Sequence, residues 1–304
     1  MRQTNAILGL LAQTSIHAGA GASISAIDLP IQREGHNGWP CVFGSAIKGA
    51  LRAKAEATAS FDDKMLSPVF GPDTKNAADH AGAISVGDAR LVLLPMRSLT
   101  STFKWVTCVE ALQRLQRDAE LLSLSGPVSQ FKVPARPKDT DESCNALVPK
   151  EGSITDLSLE EFRFTAKQED LADVITALAS LMRRDDAEAE LRKRLVIVSD
   201  DMFSFLVQHA TPVTAHIAIN NDTKTVRDGA LWYEETLPPE TLLYVPLMAA
   251  ASRNKDGKVF SAAEIRQSVI KDLLGDKKNC WLQVGGNETV GMGWCGVEHI
   301  NSGE

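Results

Sequence analysis

Strand-like and helix-like stretches alternate along this chain, but the connections between them vary widely in length. That irregularity is the strongest constraint on the fold. A doubly wound parallel sheet needs a helical crossover of similar size after each strand. An α+β domain with large insertions fits the pattern better, and 304 residues with 44% hydrophobic content suffice to bury its core as one elaborated unit, 1–304.

Residues 6–16 read as a strand. The opening run resembles a secretory leader only until Gln13 and Thr14 interrupt it, and no stretch approaches the roughly 18 apolar residues of a membrane helix, so no membrane partner is expected. Residues 45–57 form the clearest helix, with Ser45 as N-cap and Ile47, Ala50, Leu51 and Lys54 along one face. Residues 83–97 read as strand, turn, strand, and Trp105 to Ser123 as an amphipathic helix. Leu171–Met182 and Ser261–Leu274 read as helices; Val196–Val198, Val213–Ile219 and Thr241–Pro246 read as strands. The segment from Gly126 to Glu161 carries Pro127, Pro134, Pro137 and Pro149 among mixed charges. It reads as a projecting insertion with apolar tips at Val128, Phe131 and Val133. The acidic run from Arg183 to Glu190 reads as a solvated helix face.

Five cysteines lie apart with no CxxC pair, which suggests neither a zinc site nor a disulfide framework and fits a reducing, cytoplasmic setting. The net charge of −7 excludes a protein coated in basic residues. A local stripe would still serve a polyanion. Gly35 to Ala55 holds Lys48, Arg52 and Lys54 and no acid, beside a helix start at Gly44 and Ser45 whose backbone N–H groups favour phosphate. The ordinary role of such cations is a solvent-facing helix surface.

Residues 17–40, HAGAGASISAIDLPIQREGHNGWP, are too polar for a core strand and too long for a tight turn. A loop of this size inside a compact domain is functional or disordered. Asp28 within it is either a turn residue bonding its own backbone or an exposed carboxylate for a hard divalent cation. His17 borders the same loop and could move a proton or meet a phosphate; a lone histidine there is more commonly a packing residue. Glu234 and Glu235 point to opposite faces if their segment is extended. GGNETVGMG (Gly285, Gly286, Gly291 and Gly293) has the wrong spacing for a dinucleotide fingerprint, and its physical content is a backbone that can approach a polyanion closely.

HAGAGASISAIDLPIQRE followed by GWPCVFGSAIKGALR resembles the opening of the backbone subunit of type III-B CRISPR complexes, of the RAMP superfamily. The likeness continues through VFGP, GDARLVLLPMRS, TFKWVTCVEAL, ALWYEETLPPETLLY and LQVGGNETVGMGW, nearly the whole chain. The resemblance implies a ferredoxin-like, RRM-related core with a thumb-like hairpin, expected in the inserted segment at roughly 126–161, copies stacked along a guide RNA, further subunits of the complex, and cleavage of the paired target RNA. It implies catalytic roles for Asp28 and His17 with Glu234, or else Glu235, and a divalent ion, Mg or Mn, at Asp28. It places RNA contacts at Gly44, Ser45, Lys48, Arg52, Lys54 and the glycines of 285–293. Phe43 and Ala18 stand where that family often has proline, which bears on loop shape rather than on any charged group. Two other readings stay open: a guide-binding scaffold without catalysis, and a metal-independent guide-processing endoribonuclease of the same superfamily.

Overall fold

The computed structural model describes residues 4–23, 26–59, 61–73, 79–140, 145–151, 157–253, 258–275 and 280–302. Strand β1 (Thr4–Ala12) is followed, beyond the long loop, by β2 (Cys41–Val42), helix α1 (Gly44–Ala57) and α2 (Asp63–Phe70). Next come β3 (Ile84–Val86), β4 (Ala89–Arg97), β5 (Phe103–Cys108), α3 (Val109–Leu121) and the single turn α4 (Pro127–Gln130). Short strands β6 (Ala146–Pro149), β7 (Leu157–Leu159), β8 (Phe162–Phe164) and β9 (Ala166–Glu169) precede α5 (Ala172–Ala179), α6 (Ala187–Arg194), β10 (Leu195–Val198) and α7 (Asp200–His209). The remainder is β11 (Val213–Ile219), β12 (Val226–Glu235), β13 (Leu242–Ala249), α8 (Ala262–Gln267), β14 (Trp281–Gln283) and β15 (Trp294–Asn301).

Eleven strands join one mixed sheet whose path runs β14-β15-β1-β13-β4-β5-β10-β6-β9, with β2 on β4 and β3 on β13. β5 with β10 and β6 with β9 pair in parallel. The core is α+β, as the irregular connections imply. β1 is buried at every position from Ala6 to Ala12, because helices cover both faces of the sheet. Leu8 and Leu10 pack with Ile47 and Leu51 of α1 and Phe203 of α7. Ile7 and Leu11 pack with Trp105, Leu112 and Leu115 of the α3 side and Leu178 of α5. Each such side chain removed from water contributes about 1.5–3 kcal/mol. No helix among the described residues is long and apolar enough to cross a membrane.

Three expectations are corrected. Trp105 to Cys108 is strand, not the start of a helix: its apolar run is sandwiched between β4 and β10, and the helix begins only at Val109. Helix α1 begins at Gly44, with Phe43 as N-cap and no side-chain capping bond, so Ser45 lies within the first turn. Val128 and Phe131 are not exposed tips; they are 0% and 4% exposed within the core, with Val133 packed against it. Pro127 takes the first turn of α4, where its missing N–H costs nothing. β6 then enters the main sheet, while 141–144 and 152–156 of the expected insertion lie outside the described residues. Two hairpins lie off the main sheet among the described residues, the short β7–β8 and the longer β11–β12, which is exposed along most of its length.

Gly9 marks the tightest approach in the core, since a Cβ there would sit 1.9 Å from the Leu181 carbonyl oxygen. Backbone cannot yield as a side-chain tip can. Gly9→Ala should therefore lower stability by about 1–3 kcal/mol or more. Urea unfolding checks this, and an unchanged midpoint would refute the close packing of β1 on the segment after α5.

Candidate active site

β1 lies antiparallel between β13 and β15, with Leu11 opposite Leu242 and Ala12 opposite Cys295. The end of β1 is thereby set beside the beginnings of the other two strands. His17 follows β1 by five residues, Glu234 and Glu235 precede β13, and the 285–293 loop precedes β15. Segments remote in sequence meet at one end of the sheet.

The described part of the 17–40 loop is held by backbone hydrogen bonds. Gln32 donates to the Ala18 carbonyl (2.8 Å), Ala20 to that of Pro30 (2.9 Å) and Ser23 to that of Asp28 (2.8 Å), folding the segment back on itself. Leu29 then pairs alongside Glu234 at the end of β12: its N–H donates to the Tyr233 carbonyl, and its carbonyl accepts from Glu235 N–H, both at 3.0 Å. Asp28 is half-buried, and its Oδ2 accepts from the Tyr233 N–H at 2.7 Å.

The segment holding the two glutamates is extended, and they diverge. Glu235, 2% exposed, accepts at Oε1 from Arg33 Nη2 and Thr211 Oγ1 and at Oε2 from the Ile31 N–H at 3.1 Å. Arg33 Nη1 also donates to the Gly38 and Val207 carbonyls at 2.8 and 2.9 Å. Glu235 is thus a clamp between the loop, α7 and the hairpin. Glu234, 4% exposed, faces the other way, with Oε1 3.7 Å from His17 Nδ1 and hydrogen-bonded by Asn287 Nδ2. His17 Nδ1 lies 2.8 Å from the Glu235 carbonyl oxygen. A carbonyl only accepts, so Nδ1 carries the proton in a neutral ring and Nε2 is left for a ligand.

The glycine loop closes over this pair. Gly286 N–H donates to the His17 carbonyl and Gly293 N–H to that of Ser15, both at 2.8 Å. Gly285 and Gly293 have φ of +87° and +85°, and a Cβ on Gly285 would lie 2.4 Å from the His17 carbonyl oxygen. Gly291 shares the left-handed conformation and is open to solvent.

The cations of α1 divide. Arg52 is occupied: it donates to the Gly71 and Pro72 carbonyls and pairs with Asp73 and Glu56, so it braces the turn after α2 instead of standing free beside Lys48. Lys48 is half-buried, and burial with the neighbouring Arg52 charge lowers its pKa. Lys54, on another face, lies near Cys280, and burial lowers its pKa too. Gly44 N–H is already bonded to Asp88 Oδ1 at 2.7 Å, and a Cβ there would meet the Val86 carbonyl at 2.3 Å; Ser45 is exposed.

Among the described residues no group of three or more His, Cys, Asp or Glu side chains is arranged to hold a metal ion. Asp28 offers one hard carboxylate on an accessible loop. Such a donor suits magnesium or manganese when substrate phosphate and water complete the shell. Arg33, Thr211 and Asn287 escaped sequence reasoning. The left-handed φ of +60° at Asn287 leaves one local trace, an asparagine in a glycine-rich run.

The RAMP superfamily profile matches residues 10–296. The chain is 36% identical over 295 residues to the CRISPR system Cmr endoribonuclease Cmr4 of Pyrococcus furiosus, covering 96% of this chain and 94% of that protein. It is 26% identical over 307 residues to the CRISPR system CMR subunit Cmr4 of Saccharolobus solfataricus, with 95% and 94% covered. Its fold is similar to that of oligomeric Cmr4 from Pyrococcus furiosus, with a TM-score of 0.73, 28% identity and 99% of each chain covered. It also shares the fold of a chain in the type III-B Cmr-beta complex bound to cognate target RNA, at TM-score 0.72 and 20% identity over 98% and 97% of the two chains.

Removing the clamp leaves Arg33, Thr211 and the Ile31 N–H without their acceptor. Glu235→Ala should cost about 2–3 kcal/mol of stability. Thr211→Ala should cost about 1 kcal/mol. Urea midpoints measure both, and a Glu235→Ala protein as stable as the parent would remove the clamp from the account.

Proposed function

The chain belongs to the RAMP superfamily, and we propose that it is the repeating, RNA-cleaving backbone subunit of a cytoplasmic type III-B ribonucleoprotein. The observation that carries this is the meeting of His17, Glu234 and the Asp28 loop at the root of an exposed hairpin. It occurs in a chain 36% identical, over nearly its whole length, to a protein named as an endoribonuclease. In this reading, copies stack along a guide RNA among the other subunits and cut the target RNA paired to it. On this reading exposed Ser45, half-buried Lys48 and the solvent-facing part of the 285–293 loop meet the guide, which needs shape and phosphate contacts but no base code.

RNA carries its own nucleophile. The 2′-hydroxyl attacks the adjacent phosphorus, the bond to the 5′-oxygen breaks, and a 2′,3′-cyclic phosphate and a 5′-hydroxyl result. In this scheme His17 Nε2 takes the hydroxyl proton, and Glu234 beside Nδ1 stabilises the imidazolium that forms. Asp28, fixed by the Tyr233 N–H, orients the scissile region. A divalent ion at Asp28, Mg or Mn, would neutralise charge developing on the phosphate. A second reading, histidine chemistry without metal, draws on the same Nε2, which the Glu235 carbonyl leaves available by engaging Nδ1–H.

The ferredoxin-like, RRM-related description applies to the sheet and its helices, taken as a single domain. The β11–β12 hairpin is the thumb in this proposal. Its Ile217, Val226, Leu231 and Tyr233 are 48%, 50%, 55% and 42% exposed. Ile217 stands opposite Leu231, and both share a face with Tyr233. An exposed apolar wedge of this kind covers stacking faces where a base pair is displaced.

Asp28→Ala should abolish target cleavage by the assembled complex while guide and target binding persist. EDTA should do the same, with activity restored by Mg or Mn. Normal cleavage by the assembled variant would remove Asp28 from the mechanism, and cleavage in EDTA would favour the metal-free reading. Ile217→Ser with Leu231→Ser should spare folding and blur the spacing of target fragments on a gel; a sharp parental ladder would place the wedge elsewhere.

A further inference from the structure

Glu234 is a carboxylate only 4% exposed, and such a group needs donors to stay charged and in place. Among the described residues, the side chain that donates to it is Asn287, through Nδ2 to Oε1. The same oxygen faces His17 at 3.7 Å. Asn287 is held in turn by its own loop. Its carbonyl accepts from the N–H groups of Val290 and Met292 at 3.1 and 3.2 Å, and its Nδ2 lies 3.6 Å from the Met292 sulfur. Its backbone is left-handed, at φ +60° and ψ 29°, a conformation asparagine tolerates better than most residues. Gly286, next to it, donates to the His17 carbonyl. Two successive residues of one loop thus hold both members of the His17–Glu234 pair, one by backbone and one by side chain.

We propose that Asn287 is a positioning residue for RNA cleavage, whose side-chain amide sets the Glu234 carboxylate against His17 and ties the 285–293 loop to the cleavage site. The inference rests on the role given to Glu234 above. Exposed positions of this loop, Glu288 to Gly291, face solvent on one side while Asn287 reaches inward on the other. An RNA backbone lying on the loop therefore bears on the element that aims the carboxylate, so seating of the guide and geometry of cleavage depend on one segment. Asn287 touches neither the scissile phosphate nor a proton in flight in this scheme; it acts through Glu234 alone.

That last statement is what a double-mutant cycle tests. Complexes carrying guide RNA would be assembled with Asn287→Gly, which keeps the left-handed backbone, and with Asn287→Asp, which keeps size but replaces the donor by an acceptor. Single-turnover cleavage and target affinity would be measured for each, in the parental and Glu234→Ala backgrounds. Expected is a loss of about 10–100-fold in cleavage rate in the parental background with unchanged affinity, as for other partners that orient a reacting group. In the Glu234→Ala background neither substitution should slow cleavage further. Equal losses in both backgrounds, or lost affinity in step with rate, would make Asn287 a structural residue of the loop and overturn the inference. Parental rates for Asn287→Asp would overturn it as well. If Glu234→Ala alone cleaved at the parental rate, the role of Glu234 would fall first, and the inference with it.

Discussion

The placement of β1 between β13 and β15 governs the rest of the molecule. A strand buried on both faces has no register to spare. Slipping it by one residue would exchange Leu8 and Leu10 with Ile7 and Gly9, and would bring a side chain to the point where Gly9 now meets the Leu181 carbonyl. The ladder therefore fixes where β1 ends. Because both neighbours are antiparallel to it, that end is also where β13 and β15 begin. The site is a consequence of sheet topology before any polar side chain contributes.

Polar contacts then convert proximity into geometry. Two consecutive loop residues take opposite partners: Arg33 pairs with Glu235, and Glu34 with Arg114, a residue itself lying over the Trp39 ring at 5.0 Å. Trp39 packs edge-on against Phe203 and donates to Ser204 Oγ at 2.9 Å. Burying the Glu235 charge has a large desolvation cost, offset only because three donors surround it. The far half of the loop is consequently fixed to α3 and α7, while the near half carries Asp28 out to the hairpin root. A rigid anchor with an accessible tip is what a reacting group needs.

Local pattern reached the elements but not their partners. Strands at 84–86, 89–97 and 213–219 and a helix opening at Ser261 follow from periodicity, whereas its capping box with Glu264 appears only in the structure. Trp105 misled because WVTC continues without a break into a helical spacing, and only pairing with β4 and with β10, whose partners lie 90 residues away in sequence, makes it strand. The prolines of 126–161 suggested a projecting insertion, yet Pro127 adjoins buried Val128 and Pro137 and Pro149 are themselves buried, because proline restricts regular structure without forbidding burial. In the site, His17, Asp28 and the glutamate pair could be named from the sequence, but no local signal distinguishes Glu234 from Glu235. Their difference lies in Arg33 and Asn287, 202 and 53 residues distant. The partners of Arg52 were out of reach for the same reason: what a surface cation pairs with, here Asp73 and the carbonyls before it, is a tertiary fact.

The charge inventory has a consequence for how RNA would be held. Arg33, Arg52, Arg90, Arg97, Arg114, Arg183, Arg184, Arg192 and Arg194 are all engaged with carboxylates of the chain itself. With these arginines paired internally and a net charge of −7, the chain as a whole does not attract a phosphate backbone at long range, and its affinity rests on local contacts. On the proposed function this is sufficient, because affinity is summed over copies. Once one subunit is seated, the next binds the same RNA at high effective concentration and gains contacts with its neighbour. An acidic chain with a narrow phosphate strip then binds long guides in an array while holding stray RNA poorly. On the proposed function, selectivity for an assembled state is the consequence of summing weak local contacts over many copies.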